Sequence, residues 1–366
     1  MKKTLIALAV LGAAAGVAHA QSNVTIYGIV DTGFIKESGK DWKMGENVNN
    51  RIGFRGVEDL GSGQAATFEL EKRFELADGT SKGYASKSGT YNGVPYTNSV
   101  NKQADWDGAA NVGLKGSNWG AVRLGRVNEL STESIRKFDP FYQYGVGSMI
   151  YSTQRSARIS NTVRYDSLNW SGFHFGASYS LGGNVNNDSA TPAWKQVSAA
   201  GADNDGYAIS LGYDNGPLAL AGNWSRLADS NKSSVWNLGA AYKFGPARVS
   251  LAYEQTKDKG WYLGDFYPAQ QSKQQNWLLG LEWTLGPGRL NASVQWDKVK
   301  DVANWNGDDK KLWKYALGYT YNLSKRTSLY GNVAYTNYDD EAMGTFYGAN
   351  NRDSVTGVQV GITHKF

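Results

Sequence analysis

Cysteine is absent from the 366 residues, and histidine occurs only at positions 19, 174 and 364. Missing thiols exclude a disulfide scaffold, a thiolate metal centre and a cysteine nucleophile. Three scattered imidazoles leave out histidine-rich metal sites and most histidine acid–base schemes. Proline is scarce at 7 residues, charged residues make up 19%, and the mean hydropathy is −0.49. Beyond the N-terminus no apolar run reaches roughly 18 residues, which excludes transmembrane helices but not a membrane barrel, whose strands need only alternate apolar residues. What is abundant is glycine at 44, tyrosine at 22 and tryptophan at 13 residues, a mixture suited to many short strands joined by turns.

The first twenty residues read as a signal peptide: Lys2 and Lys3 precede an apolar stretch over 4–17, and Ala18-His19-Ala20 forms an A-x-A cleavage site. Residues 1–20 are therefore expected to be removed, leaving 21–366 as a single barrel domain and lowering the formal charge from +5 to +3. Export without cysteine suits a Gram-negative envelope protein that does not depend on disulfides.

From residue 21 the chain runs through period-2 segments. In 276–285, Trp277, Leu279, Leu281, Trp283 and Leu285 share one face, while Leu278, Gly280, Glu282 and Thr284 share the other. Trp313, Tyr315, Leu317, Tyr319 and Tyr321 alternate likewise with Lys314, Ala316, Gly318 and Thr320. Tryptophan and tyrosine recur near strand ends on the apolar face, where a membrane interface places them. Sixteen segments are expected, beginning near residues 23, 49, 63, 109, 120, 157, 172, 205, 217, 236, 246, 275, 288, 312, 326 and 354. Tight connections at 214–217, 244–246 and 286–288 interleave with long polar ones near 36–48, 76–108, 182–204 and 338–353. The expected fold is therefore all-β: a sixteen-stranded antiparallel transmembrane β-barrel, too wide for side chains to fill, with short turns at one rim and long loops at the other.

Several motifs carry a resemblance. Residues 24–31 (VTIYGIVD), 51–61 (RIGFRGVEDLG), 112–116 (VGLKG), 122–126 (VRLGR), 163–167 (VRYDS) and the terminal His364-Lys365-Phe366 resemble, in order and along the whole chain, the general diffusion porins of β-proteobacteria. The resemblance implies a homotrimer of barrels in the outer membrane, in contact with lipid and lipopolysaccharide. Each barrel would hold a water-filled pore narrowed by an inward-folded third loop, here 127–151, and would pass small hydrophilic solutes and inorganic ions. It implies no cofactor, and it makes Phe366 an assembly signal. One departure is Gly108-Ala109-Ala110-Asn111, where relatives often carry a basic or aromatic residue.

Strand parity assigns charges to the lumen. With Ile52 and Phe54 facing lipid, Arg51 and Arg55 point inward; with Phe68, Leu70 and Phe74 outward, Glu69, Glu71 and Arg73 point inward. Val122 and Leu124 leave Arg123 inside, and Ile159, Val163 and Tyr165 leave Arg158, Thr162 and Arg164 inside. A lipid-facing arginine would cost about 2–4 kcal/mol at mid-membrane, whereas Arg55 and Arg73 have neighbouring carboxylates to pair with. The third loop brings Glu129, Glu133 and Asp139 against Arg136 and Lys137, so an arginine column facing an acidic loop is expected, with anions favoured. Arg126 is expected to anchor that loop.

The alternative within transport is a substrate-selective porin, which would need an aromatic slide or a dedicated binding site along the pore, whereas most aromatics here fall on the lipid face. Other competing signals are weak. Gly79, Ser81 and Gly83 match G-x-S-x-G but lie in a polar loop without the strand-turn-helix of a nucleophile elbow. His174 has no acidic partner identifiable by spacing, so a barrel hydrolase is not expected. Asp308-Asp309 and Asp339-Asp340-Glu341 read as solvated loop charge rather than a metal site, and the dispersed charge offers no nucleic-acid stripe.

Overall fold

A computed structural model describes residues 23–81, 87–91, 94–98, 105–150, 158–182, 204–228, 232–258, 272–302, 305–347, 349 and 351–366. The expected signal peptide, residues 1–20, lies outside the described residues, as do residues 82 and 83 of the G-x-S-x-G match and Tyr151 at the end of the expected loop.

Nineteen strands are described: β1 (Asn23–Glu37), β2 (Lys43–Gly45), β3 (Arg51–Gly61), β4 (Gln64–Arg73), β5 (Lys87–Tyr91), β6 (Val94–Asn98), β7 (Ala109–Gly116), β8 (Gly120–Asn128), β9 (Arg158–Asp166), β10 (Phe173–Ser180), β11 (Gly206–Asn215), β12 (Leu218–Arg226), β13 (Ser234–Phe244), β14 (Ala247–Asp258), β15 (Ser272–Leu285), β16 (Gly288–Lys300), β17 (Lys310–Asn322), β18 (Thr327–Tyr338) and β19 (Ser354–Lys365). Two short helices, α1 (Leu130–Arg136) and α2 (Glu341–Phe346), lie in connections at the long-loop rim.

Sixteen of these strands close into one antiparallel barrel, because β1 pairs with β3 through Asn23–Ile29 and with β19 through Ile29–Glu37. The short β2 pairs with Gly33–Ile35 of β1 above the point where β3 leaves it, and β5 with β6 forms a separate hairpin. The expected starts agree with the observed ones to within three residues. Three tight turns are two-residue links, Gly216-Pro217, Gly245-Pro246 and Gly286-Pro287. Their glycines sit at φ of +56°, +55° and +58°, which matches the strand twist and which other residues adopt only at a cost.

Along the strands one face carries exposed apolar side chains, among them Leu238, Leu251, Leu279, Leu317 and Val360. The opposite face is polar: Asn237, Glu254, Asn276, Gln295, Lys314 and Gln359 are each less than 9% exposed. That inversion of the soluble-protein pattern is what a barrel in hydrocarbon requires.

Parity fails in β9. Between Gly125 and Val127 of β8, β9 carries an extra residue, and Asn161 adopts φ +53°. This β-bulge turns Ile159 away from lipid, and the side chain packs at 5% exposure with Val127 and Ala228.

Candidate functional site

Three strands bring arginines to one carboxylate. Glu71 on β4 has its Oε1 at 3.9 Å from Arg51 Nη1 of β3, 3.6 Å from Arg73 Nε and 3.8 Å from Arg158 Nη2 of β9. None of these is a hydrogen bond, so Glu71 Oε1 is ion-paired without a hydrogen bond inside an arginine cage. From the 129–150 segment, the Tyr144 phenol lies within electrostatic reach of Arg51, Arg136 and Arg73. Burial raises the Tyr144 phenol, but those three guanidinium groups outweigh it and hold the phenol below its ordinary value. Three arginines thus gather around one glutamate, with Arg136 on the Tyr144 side.

Gly108 explains how they fit. Its carbonyl accepts from Arg158 Nε at 2.6 Å, and any Cβ at 108 would strike the Glu71 side chain. The missing side chain at 108 leaves the space that Glu71 occupies.

Arg123 and Arg164 are elsewhere, directly opposite each other on β8 and β9. Arg123 Nη2 bonds Asp166 Oδ2 at 2.6 Å, and Arg164 Nη2 reaches Glu133 Oε2 at 2.5 Å and Asp166 Oδ1 at 2.7 Å. Burial pushes the Glu133 carboxyl up, yet Arg164 more than offsets it and holds the group low. Arg55 and Glu69 are cross-strand neighbours near Tyr27: the Arg55 guanidinium lies 5.3 Å from the ring centroid, and the phenol donates to Glu69 Oε1 at 2.9 Å. Arg126 ties β8 to the Asp107 carbonyl at 2.8 Å and the Ser160 hydroxyl at 2.9 Å.

Two expected acids do not face the arginine cage. Glu129, 4% exposed, is the N-cap of α1: it accepts from the Ser131 N–H at 2.8 Å and the Thr132 N–H at 3.2 Å, and takes the Ser225 hydroxyl at 2.8 Å. Asp139 is fully buried and accepts the N–H groups of Phe141, Gln143 and Met149 at 2.8–2.9 Å. Both carboxylates are drawn into the turn chemistry of their own segment, which spacing in the sequence does not distinguish from lumen-facing charge. The expected arginine column opposite an acidic loop is therefore an arginine cage opposite Tyr144 and Arg136.

The same segment is fastened to the polar faces of successive strands. Asn237 Nδ2 donates to the Ser131 carbonyl at 2.9 Å and Ser250 Oγ to that of Phe138 at 2.6 Å. Arg248 Nη2 donates to the Lys137 carbonyl at 2.7 Å, and Lys314 Nζ to that of Ser148 at 2.5 Å. Gln295 Oε1 accepts the Ile150 N–H at 2.7 Å, and Gln359 Oε1 that of Val146 at 3.2 Å. Its apolar side chains rest where the strands have none: a Cβ at Gly239 would meet the Phe138 ring, one at Gly280 would meet Pro140 at 2.6 Å, and one at Gly318 would meet Phe141 at 2.9 Å.

Sequence reasoning missed a second charged group. Glu282 Oε1 pairs with Arg248 at 2.7 Å, and its Oε2 with Arg289 at 2.9 Å and the Tyr142 hydroxyl at 2.9 Å. Parity places Glu282, Arg248 and Arg289 on the polar face, so the strand pattern was a sufficient signal for all three. Tyr142 and Tyr144 had none, because left-handed φ at Tyr142 and Gln143 (+53° and +64°) sends the two rings to different groups. At the long-loop rim, Asp340 caps α2 through the Met343 N–H at 2.9 Å and pairs with Lys310, while Asp309 pairs with Lys298 at 2.7 Å and Lys300 at 3.2 Å. Among the described residues no group of three metal-ligating side chains occurs. His174 Nε2 lies 3.6 Å from Asp214, a partner spacing did not reveal, and Lys137 holds the same carboxylate at 3.1 Å.

A closed barrel with an apolar outer face and an arginine-rich polar face defines an outer-membrane channel. Residues 7–341 match the family model described as Gram-negative porin, so the chain belongs to that family. An outer membrane porin protein of Bordetella pertussis and outer membrane porin protein 32 of Delftia acidovorans are each 32% identical, with 100% of both chains covered in each case. The solved anion-selective porin from Comamonas acidovorans superposes with a TM-score of 0.72 at 27% identity, covering 94% of this chain and 100% of that one. The protein is a porin of the Gram-negative outer membrane.

Proposed function

We propose that the barrel is an anion-preferring channel for passive diffusion of small hydrophilic solutes and ions, narrowed by the 129–150 segment folded into its lumen. The carrying observation is the cage of Arg51, Arg73 and Arg158 around the single Glu71, with Arg136 across from it beside Tyr144 and with Glu129 and Asp139 withdrawn into hydrogen bonds of their own. An excess of fixed positive charge at a narrowing lowers the barrier to anions and raises it to cations. The name of the Comamonas acidovorans structure, an anion-selective porin, supports the same reading. The homotrimer, the removal of residues 1–20 and Phe366 as an assembly signal complete the proposal.

Single-channel recording of the purified protein tests it. A zero-current potential of the sign set by chloride in a potassium chloride gradient is the expected result, and a potassium-selective channel at low salt overturns the anion preference. Conductance without phospholipid hydrolysis in the same preparation separates the channel from a barrel hydrolase.

A further inference from the structure

On the polar face, between the arginine cage and the short-turn rim, one row of side chains carries a base and an acid that do not pair. The strand register sets the row: Thr25 of β1 lies opposite Arg55 of β3, Arg55 opposite Glu69 of β4, Glu69 opposite Asn111 of β7, and Asn111 opposite Gly125 of β8. Arg55 is exposed and Glu69 half-buried, and directly opposed residues have Cβ atoms about 4.5–5.5 Å apart. Among the described residues, however, no carboxylate lies within ion-pair distance of Arg55 and no basic group within that distance of Glu69.

Tyr27 keeps the two charges apart. Its ring leans over Gly53, where a Cβ would strike it, and takes the Arg55 guanidinium 5.3 Å from its centroid while its hydroxyl donates to Glu69 Oε1 at 2.9 Å. The same hydroxyl lies 3.3 Å from Glu71 Oε2, so the row adjoins the cage. Asn111 donates its amide to the Arg126 carbonyl at 3.2 Å, and Gly125 has no side chain, which leaves one base and one acid in the row. Other arginines of the polar face differ: Arg123 and Arg164 close on Asp166, and Arg248 and Arg289 close on Glu282. Those pairs must open before a solute can use either charge. Arg55 and Glu69 are open already.

We infer that this row is a subsite for small zwitterionic amino acids passing through the channel. Arg55 takes the α-carboxylate, Glu69 takes the α-ammonium, and the Tyr27 ring supports the carbon between them. A solute without net charge gains nothing from the positive excess of the cage, yet its two separate charges make it costly to strip of water at a narrowing. A base and an acid on adjacent strands replace that water at both ends at once, through charge-assisted hydrogen bonds. The inference deepens the channel reading and rests on it.

The test is uptake by proteoliposomes of glycine against glycolamide, its isomer of the same size without either charge. Wild type should admit glycine about threefold faster than glycolamide, the advantage that two solvent-exposed charge contacts supply. R55Q and E69Q should each abolish that ratio. A general effect of wall charge would instead move the two variants in opposite directions, as it should their chloride selectivity. R55E/E69R exchanges the two charges on one wall and should keep the ratio, because the solute can bind reversed. A wild-type ratio of one or less overturns the subsite, as does a ratio kept by either single variant, opposite shifts of the ratio in the two, or its loss from a conducting R55E/E69R channel. Conductance is recorded on the same samples to establish that each variant forms a channel. A wild type that admits neither solute removes the channel reading, whereas one that admits both equally removes the subsite alone.

Discussion

Arg51, Arg73 and Arg158 come from three strands and share the one Glu71 carboxylate at 3.6–3.9 Å. Three guanidinium groups against one carboxylate give this cluster an excess of positive charge. Arg164 differs: with Glu133 and Asp166 at 2.5 and 2.7 Å its field is cancelled locally. Replacing Arg51, Arg73 and Arg158 together by serine should move the zero-current potential toward the cation side. Arg164→Ser should move it far less, and Glu71→Gln should move it the other way. The effect should fade as salt shortens the Debye length from about 10 Å at 0.1 M to about 3 Å at 1 M. Equal shifts from the Arg164 change and the triple change would contradict this division of labour. Glu133 adds a pH dependence. Its carboxyl is held below the ordinary value of about 4.3, so its link to Arg164 is fully present above that value and is lost only as pH falls through the lowered one. Noise from loop detachment should therefore be absent at pH 5 and appear under stronger acid, and Glu133→Gln should show it already at neutral pH in planar-bilayer recordings.

Between strands, the 129–150 segment is held by two kinds of contact that differ in how visible they are in sequence. The strands themselves were legible: alternation at 276–285 or 312–321 directly reports a wall with lipid on one side, and Gly-Pro turns mark the short rim. Lumen parity could be read from the strand pattern as well, and the structure brings Arg51, Glu71 and Arg73 together. Parity says nothing of distance along the barrel, so the separation of Arg164 from the cage was not readable, and one bulge at Asn161 was enough to misplace Ile159. Nor does spacing show whether a loop carboxylate faces water or its own backbone. Asp139 is the clearest case, since three N–H groups that only the folded turn brings together satisfy it. Asp139→Ala orphans all three, at about 1–3 kcal/mol each, within a segment whose wall contacts are otherwise intact. The expected outcome is a barrel that resists denaturation as before but is cut by protease within 129–150 and closes at lower voltage. Gly239→Val tests the other kind of contact. The added side chain displaces the Phe138 ring while suiting the strand, so conductance should change with no loss of folded barrel.

At the scale of the whole molecule, closure is a single seam between β1 and β19, and Phe366 is its last stitch. The Gly28 N–H donates to the Phe366 carbonyl at 3.0 Å, the Phe366 N–H donates to the Gly28 carbonyl at 3.1 Å, and the ring covers Gly28 so closely that a Cβ there would strike it. Gly28 lies one residue before Ile29, where the β1–β3 pairing ends and the β1–β19 pairing begins, so Phe366 closes the corner where three strands meet. A membrane barrel tolerates no open edge, because an unpaired backbone group in hydrocarbon costs several kcal/mol and has no water to satisfy it. Removing Phe366 unpairs both Gly28 groups and uncovers the corner, while the remaining ladder from Ile29 to Glu37 stays intact. The truncated chain should therefore be exported normally yet reach the outer membrane at a reduced level. Whatever does fold should lose its resistance to unfolding in detergent at a lower temperature, read as the shift from compact to extended mobility when samples are heated before electrophoresis. Phe366→Tyr keeps the backbone bonds and the ring and should restore both. Normal assembly together with an unaltered heat transition in the truncated chain would show that the seam does not depend on its last residue.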